Sequence, residues 1–355
     1  MDFTLSDDRR MLAETLSRFL DAEYDLAHRD RVAHTAPYHD PQKWAALADL
    51  GMIGALARPD QGGFGGTGAD IAVVFETIGR GLCPEPFLPA LLALRCIEDT
   101  DPVLSGPVLE GRALMALATS EAEAPYALDD ITTMARADGD THRLSGQKTM
   151  VYGGQIADRI LIPARLDGTI ALFDITASDA EIRPMGLIDG GGAADILLDE
   201  CPGRLLDPDA RPRITGAIEA GLIALAAEAV GIMDRLQDMT RLYLRTRQQF
   251  GTALAGFQAL QHRMVDLAID IEQARSLTIR AASALDTDQS ARYAAMAKTL
   301  IGRVGKLVAE EAIQLHGGIA MTWEAPVSHY AKRLVMIDHQ LGDMDTHLEQ
   351  LTKTL

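Results

Sequence analysis

The sequence predicts an α+β fold, mainly α, with a helical N-terminal domain, a small antiparallel β-barrel in the middle and a helical bundle at the end. Three observations carry that expectation. Apolar residues recur at helical steps through the first third. From about residue 113 to 208 the pattern breaks into short apolar runs bounded by Gly, Asp or Pro. From about Arg213 the helical step returns and persists. The expected domains are therefore 1–112, 113–208 and 209–355. A chain of 355 residues is long for one compact core, which also favours several packed parts.

The first helix is expected over Phe3 to Tyr24, where Leu5, Met11, Leu12, Leu16, Phe19 and Leu20 fall mostly at helical spacing. Shorter helices are expected at Trp44–Leu50 and Ile71–Ile78, with a turn-rich stretch, Pro59 to Gly68, between them. Pro84, Pro86 and Pro89 break the pattern. Strands are expected at Ala113–Ala118, Lys148–Tyr152, Arg159–Ile162, Thr169–Ile175 and Asp195–Leu198, spaced as in a small barrel or sandwich. In the last part Leu222, Leu225, Ala229, Ile232, Leu236 and Met239 follow steps of three or four. Phe257, Leu260, Met264, Leu267, Ile271, Ala274 and Leu277 do the same, as do Leu300, Val304, Leu307 and Val308. Three long amphipathic segments in series argue for an antiparallel bundle.

The formal net charge of −18 argues against nucleic acid as a partner, because such a surface repels a phosphate backbone. No run approaches the roughly 20 uninterrupted apolar residues of a membrane span. The start, MDFTLSDDRR, lacks the basic-then-apolar order of a signal peptide, so the cytoplasm is the expected compartment. Cys83, Cys96 and Cys201 lack metal-ligand spacing and read as free thiols; no metal site is expected. Gly63–Gly68 fits G-x-G-x-x-G, with Glu85 about 20 positions on. A dinucleotide fingerprint also needs a preceding strand and a βαβ unit, and this neighbourhood is helical. A glycine-rich turn between two helices is the better reading.

The sharpest motif is Arg245-Thr246-Arg247-Gln248-Gln249-Phe250-Gly251 with Gln258 downstream. It resembles the R-x-x-F-G turn of acyl-CoA dehydrogenases. Gln314-Leu315-His316-Gly317-Gly318 resembles that family's Q-x-x-G-G segment, and Gly146-Gln147-Lys148 its G-x-K strand start. Pro59–Gly68 and Gly79–Phe87 look like its N-terminal turns. The resemblance spans nearly the whole chain in order. It implies an N-terminal helical domain, a middle β-domain and a C-terminal four-helix bundle. It also implies FAD extended between β-domain and bundle, with the adenine end reaching a neighbouring subunit. By the resemblance the FAD contacts are Arg247, Phe250, Gln258, Gln314, Gly317 and Gly318, with His316 structural. The chemistry suits them. A guanidinium makes paired, charge-assisted bonds to a pyrophosphate. Phe covers a ring, amides donate and accept, and glycines admit close backbone approach.

The implied reaction is α,β-dehydrogenation of an acyl-CoA thioester: a glutamate takes the α-proton and the β-hydrogen leaves as hydride to FAD. Electron-transferring flavoprotein is the implied acceptor, and the implied assembly is a homo- or hetero-oligomer. The sequence departs from the pattern at the base. The glutamate that precedes a glycine in the family's last loop is Leu341 here, before Gly342. The alternative position, near the start of the first bundle helix, is Gly221. Glu219 faces roughly the opposite side of that helix. Glu228 returns to the face of Gly221 two turns on, within an apolar stretch that would desolvate it, and is the candidate base. The alternative for Glu228 is an acid paired with a basic side chain between helices. Met150 and Tyr152 replace the aromatic and hydroxyl residues expected beside the flavin. Ala122-Glu123-Ala124-Pro125-Tyr126 replaces a glycine-serine loop. Asp343 and Asp345 stand where neutral contacts to FAD are common. Two functions stay open: an active dehydrogenase with a relocated base, or a partner subunit that lends FAD contacts and interface to a catalytic chain.

Overall fold

The computed structural model describes residues 5–97, 102–139 and 141–353. The helices, in chain order, are α1 (Asp7–Glu23), α2 (Leu26–His34), α3 (Pro41–Asp49), α4 (Gly68–Gly81), α5 (Phe87–Ile97) and α6 (Pro102–Leu109). After the strands follow α7 (Arg211–Thr246), α8 (Gln258–Ala284), α9 (Ser290–His316), α10 (Pro326–His339) and α11 (Met344–Lys353). The strands are β1 (Met115–Leu117), β2 (Met134–Asp138), β3 (Thr141–Tyr152), β4 (Arg159–Leu166), β5 (Thr169–Thr176), β6 (Glu181–Gly186), β7 (Gly192–Asp207), β8 (Gln248–Gln249) and β9 (Thr252–Ala253). The first helix is one turn shorter than expected because Ser6 caps it, accepting from the Arg9 amide at 3.3 Å. Phe3 lies outside the described residues. Asp40 caps α3 in the same way and Pro41 supplies its first turn.

The chain packs as two compact units, 1–26 with 71–83 and 222–355, and 27–70 with 84–221. The second holds the barrel. Strand β4 pairs with β5, β5 with β7, β7 with β3, β3 with β2, and β2 returns to β4, so the ring closes. Closure removes the free edges an open sheet would leave. The barrel is mixed: β1 and β2 both run parallel to β4, which long connections allow. Inside lie Leu144, Val151, Ile160, Ile162, Phe173, Ile175 and Ile196. Two strands, β2 and β6, have no counterpart among the expected runs. Their sequences, MARAD and EIRPMG, are largely exposed and lack an apolar run.

The G-x-G-x-x-G stretch is the expected turn, and its glycines serve packing. The first described strand begins only at Met115. A methyl on Gly63 would sit 2.1 Å from the Ala57 carbonyl oxygen, and one on Gly65 2.4 Å from that of Ala55. Glu85 is buried and bound by His39, with the Asp40 amide donating to it at 3.2 Å.

In the first unit α8, α10 and α11 pack on α9, and α7 joins them through Asp234 with Arg275 of α8 and Glu228 with Arg333 of α10. The expected faces of α7 and α8 are buried at Leu222, Leu225, Ala229, Ile232, Leu236, Leu267, Ile271 and Ala274. Leu307, expected inside α9, is exposed. Among the described helices α7 is long and apolar enough to cross a membrane, and 83% of that apolar window is buried within the protein.

Helix α4 crosses α7 at two reciprocal glycines. A methyl on Gly231 would lie 2.0 Å from the Glu76 carbonyl oxygen, and one on Gly79 2.2 Å from that of Glu228. Neither backbone can yield without breaking helical hydrogen bonds. Gly231→Ala gains about 1 kcal/mol of helix propensity. The overlap costs about 3 kcal/mol, so the clash should win. Denaturant unfolding is expected to show a net loss of roughly 2 kcal/mol.

Candidate functional site: the ends of the bundle helices

The C-terminus of α7 runs into the β8–β9 hairpin. Its two tip residues, Phe250 (φ 54°) and Gly251 (φ 80°), are both left-handed, as a type I′ turn requires. Glycine takes that conformation freely, whereas a bulky side chain there is an outlier. Phe250 is nonetheless 92% exposed, touching the edge of Phe257 at 6.3 Å between ring centroids. A strained, solvated aromatic ring contributes little to the chain's own core, which marks it for a contact outside the chain. Arg247 sits at the hairpin's base, exposed, with its amide donating to the Tyr243 carbonyl at 2.8 Å.

The other candidates surround the same end of the bundle. Gln258 begins α8 and is exposed. Gln314 is exposed on the last turn of α9, and Gly317 (φ 71°) ends that helix. No atom lies within 4 Å of a methyl built on Gly317 or Gly318, so the backbone faces open space there. The structure ties the two motifs together through Tyr243 of α7, whose ring stacks on His316 of α9 at 4.5 Å and 25°. An exposed guanidinium, an exposed ring, two amides and bare backbone are groups of the kind that bind an adenine dinucleotide.

The last loop carries Leu341 at the position where the resemblance expects a glutamate. Leu341 occupies the left-handed region (φ 57°) and is followed by Gly342 (φ 100°). Buried Lys298 of α9 fixes the loop by donating to the carbonyls of Asp338, at 2.8 Å, and Gly342. Burial pushes that amine down to about 8, against the charges of Asp338 and Asp343. His347 meets the Leu341 carbonyl at 3.0 Å. Asp343 caps α11, accepting from the Thr346 hydroxyl (2.6 Å) and amide (2.8 Å), and those bonds lower its carboxyl.

Gly221 is buried inside α7. The candidate base Glu228 is buried too, and both its oxygens are taken. Arg333 of α10 donates to them from Nε at 2.6 Å and Nη2 at 2.7 Å. Of the two arrangements open for this acid, the structure presents the interhelical ion pair with Arg333.

In the barrel Met150 is left-handed (φ 50°), its amide donating to Asp195 at 3.1 Å. Two residues earlier Lys148 is fully buried and donates to Glu121 at 2.7 Å. Glu121 also accepts from the Thr132 amide and hydroxyl (2.6 and 2.7 Å) and from those of Thr133 (3.1 and 2.6 Å). Burial opposes ionisation of Glu121. The charge and bond of Lys148, with the threonine donors, outweigh it and bring the carboxyl down to about 2. The motif Gly146-Gln147-Lys148 pointed to this lysine without revealing its partner, 27 residues earlier.

Comparison with known proteins agrees with this architecture. Residues 6–95 match the acyl-CoA dehydrogenase N-terminal domain and residues 212–355 the acyl-CoA dehydrogenase C-terminal domain. The solved Tcur3481–Tcur3483 steroid ACAD superposes with a TM-score of 0.91 at 26% identity, over 99% of this chain and 98% of that one. The acyl-CoA dehydrogenase IpdE2 of Mycobacterium tuberculosis is 30% identical over 93% of this chain and 92% of its own length. IpdE2 of Mycolicibacterium smegmatis is 29% identical over 98% of each. The chain belongs to the acyl-CoA dehydrogenase family, whose members are flavoprotein oxidoreductases. FAD is its cofactor.

Proposed function

We propose that this chain is one subunit of a two-chain acyl-CoA dehydrogenase. It lends nucleotide contacts and interface, while the second chain supplies the base that takes the α-proton of the thioester. One observation carries this reading: both positions where the family places its glutamate are non-acidic, Leu341 and Gly221, and the nearby Glu228 is held on both oxygens by Arg333. A base must be free to accept a proton about 3 Å away. The survival of Arg247, Phe250 and Gln314 on an exposed patch supports the nucleotide role. The exposed Val265 and Ile269 of α8 line a groove of about 1100 Å³ with Arg241 of α7 and Leu300 of α9. Such grooves mark association surfaces. The Tcur3481–Tcur3483 protein names two components, which adds support.

When bound, FAD supplies the hydride acceptor. In this reading Arg247 would hold the pyrophosphate, Phe250 would cover an aromatic ring of the cofactor, and Gln258 and Gln314 would supply amide donors and acceptors. Electron-transferring flavoprotein is the expected acceptor. The test is expression of the chain alone and with a second dehydrogenase-like chain. Colourless protein alone, yellow protein on co-expression, and bleaching by an acyl-CoA only in the pair are the expected results. Yellow protein from this chain alone that bleaches with an acyl-CoA overturns the reading.

A further inference from the structure

We infer that Tyr243 and His316 are positioning residues: their stacked rings set the spacing between the α7 arm and the α9 arm of the cofactor patch. This rests on the reading of that patch as the FAD contact. Tyr243 lies one turn before Arg247 and its carbonyl holds the Arg247 amide at 2.8 Å. Any shift of Tyr243 is therefore passed to the guanidinium and to the hairpin carrying Phe250. His316 is the last residue of α9, two after Gln314 and directly before Gly317. The ring contact, 4.5 Å between centroids at 25°, thus joins the two motifs at their bases rather than at their tips.

The imidazole is itself fixed. Its Nδ1 lies 2.8 Å from the Ala312 carbonyl, which only accepts, so Nδ1 carries the proton. Burial lowers its basicity, against that bond. A second tie lies one turn earlier on α9, where Glu311 accepts from Arg263 of α8 at 2.6 Å. That pair fixes the helix carrying Gln258 to the same end of α9. The stack is the only described ring contact between α7 and α9. An aromatic pair contributes about 0.5–1.5 kcal/mol beyond its buried area. Pre-organisation of this kind is read as affinity.

The experiment is FAD affinity of the flavin-bearing assembly, by titration of the apoprotein and flavin fluorescence, in five variants. Tyr243→Phe keeps the stack and should bind like wild type. Tyr243→Leu and His316→Ala should weaken FAD up to about tenfold. His316→Phe, which keeps a ring but not the Ala312 bond, should fall between. Arg247→Ala tests the patch itself and should weaken FAD more than any of these. If Arg247→Ala weakens FAD while Tyr243→Leu and His316→Ala do not, the positioning inference is overturned and the patch stands. If Arg247→Ala leaves affinity unchanged, the patch reading falls. Should His316→Ala fail to assemble, the contrast between Tyr243→Phe and Tyr243→Leu decides, and equal affinities overturn the inference.

Discussion

Lys148→Met should destabilise the protein by about 3–5 kcal/mol at neutral pH, the cost of removing one partner from a buried ion pair. Methionine matches the stem of the lysine, so packing changes little and the loss reports the charge. Glu121 is then left at 3% exposure with threonine donors but no countercharge. The pH dependence has a definite sign. The folded carboxyl is depressed to about 2, whereas an unfolded glutamate titrates near about 4.3. The stabilisation is therefore complete above about 4.3 and is lost as pH falls toward 2. The gap between wild type and Lys148→Met should be widest at pH 7 and narrow through that acid range. Urea unfolding at a series of pH values measures it. A gap that stays constant from neutral to acid conditions would mean that the lysine acts through packing alone.

Much of this architecture was legible because it rests on local period. The buried faces of α7 and α8 and the strands β4 and β5 follow from spacing alone. Exposed strands such as β2 and β6 carry no such period, because neither face is fully buried and Pro184 interrupts the second. The candidate patch was legible as two motifs that the resemblance brings to one nucleotide, whereas the ring contact that joins them was not, since Tyr243 and His316 are far apart in sequence. The β8–β9 hairpin is hidden for a different reason. Type I′ turns favour Asn-Gly, and Phe250-Gly251 breaks that preference. Lys298 and Arg333 read as ordinary helical cations until the structure places them beside buried acceptors. Pairs separated by 40 to 105 residues leave no trace in a window of one helix.

The ion pair of Glu228 is where stability and catalysis give opposite expectations. Arg333→Leu strands a buried carboxylate and should cost about 3–5 kcal/mol. The double variant Glu228→Leu/Arg333→Leu removes both charges among Leu225, Ala229 and Val230, all buried. It should therefore be more stable than Arg333→Leu alone, with a coupling of about 1–3 kcal/mol in the cycle. Catalysis is read with Glu228→Gln in the flavin-bearing assembly. Removing a general base costs about 10²–10⁴ in rate. A residue that only joins α7 to α10 should leave turnover within about twofold once protein is assembled, a change of roughly 0.4 kcal/mol in barrier. The geometry favours the second outcome. On accepting a proton, the carboxylate would lose the charge that strengthens its guanidinium bonds of 2.6 and 2.7 Å, in a site with 5% exposure. That loss is about 1.5–3 kcal/mol for a hydrogen bond to a charged group, and it is incurred each turnover. A collapse of turnover in Glu228→Gln with stability intact would return the base to this chain and remove the main support for a second, catalytic subunit.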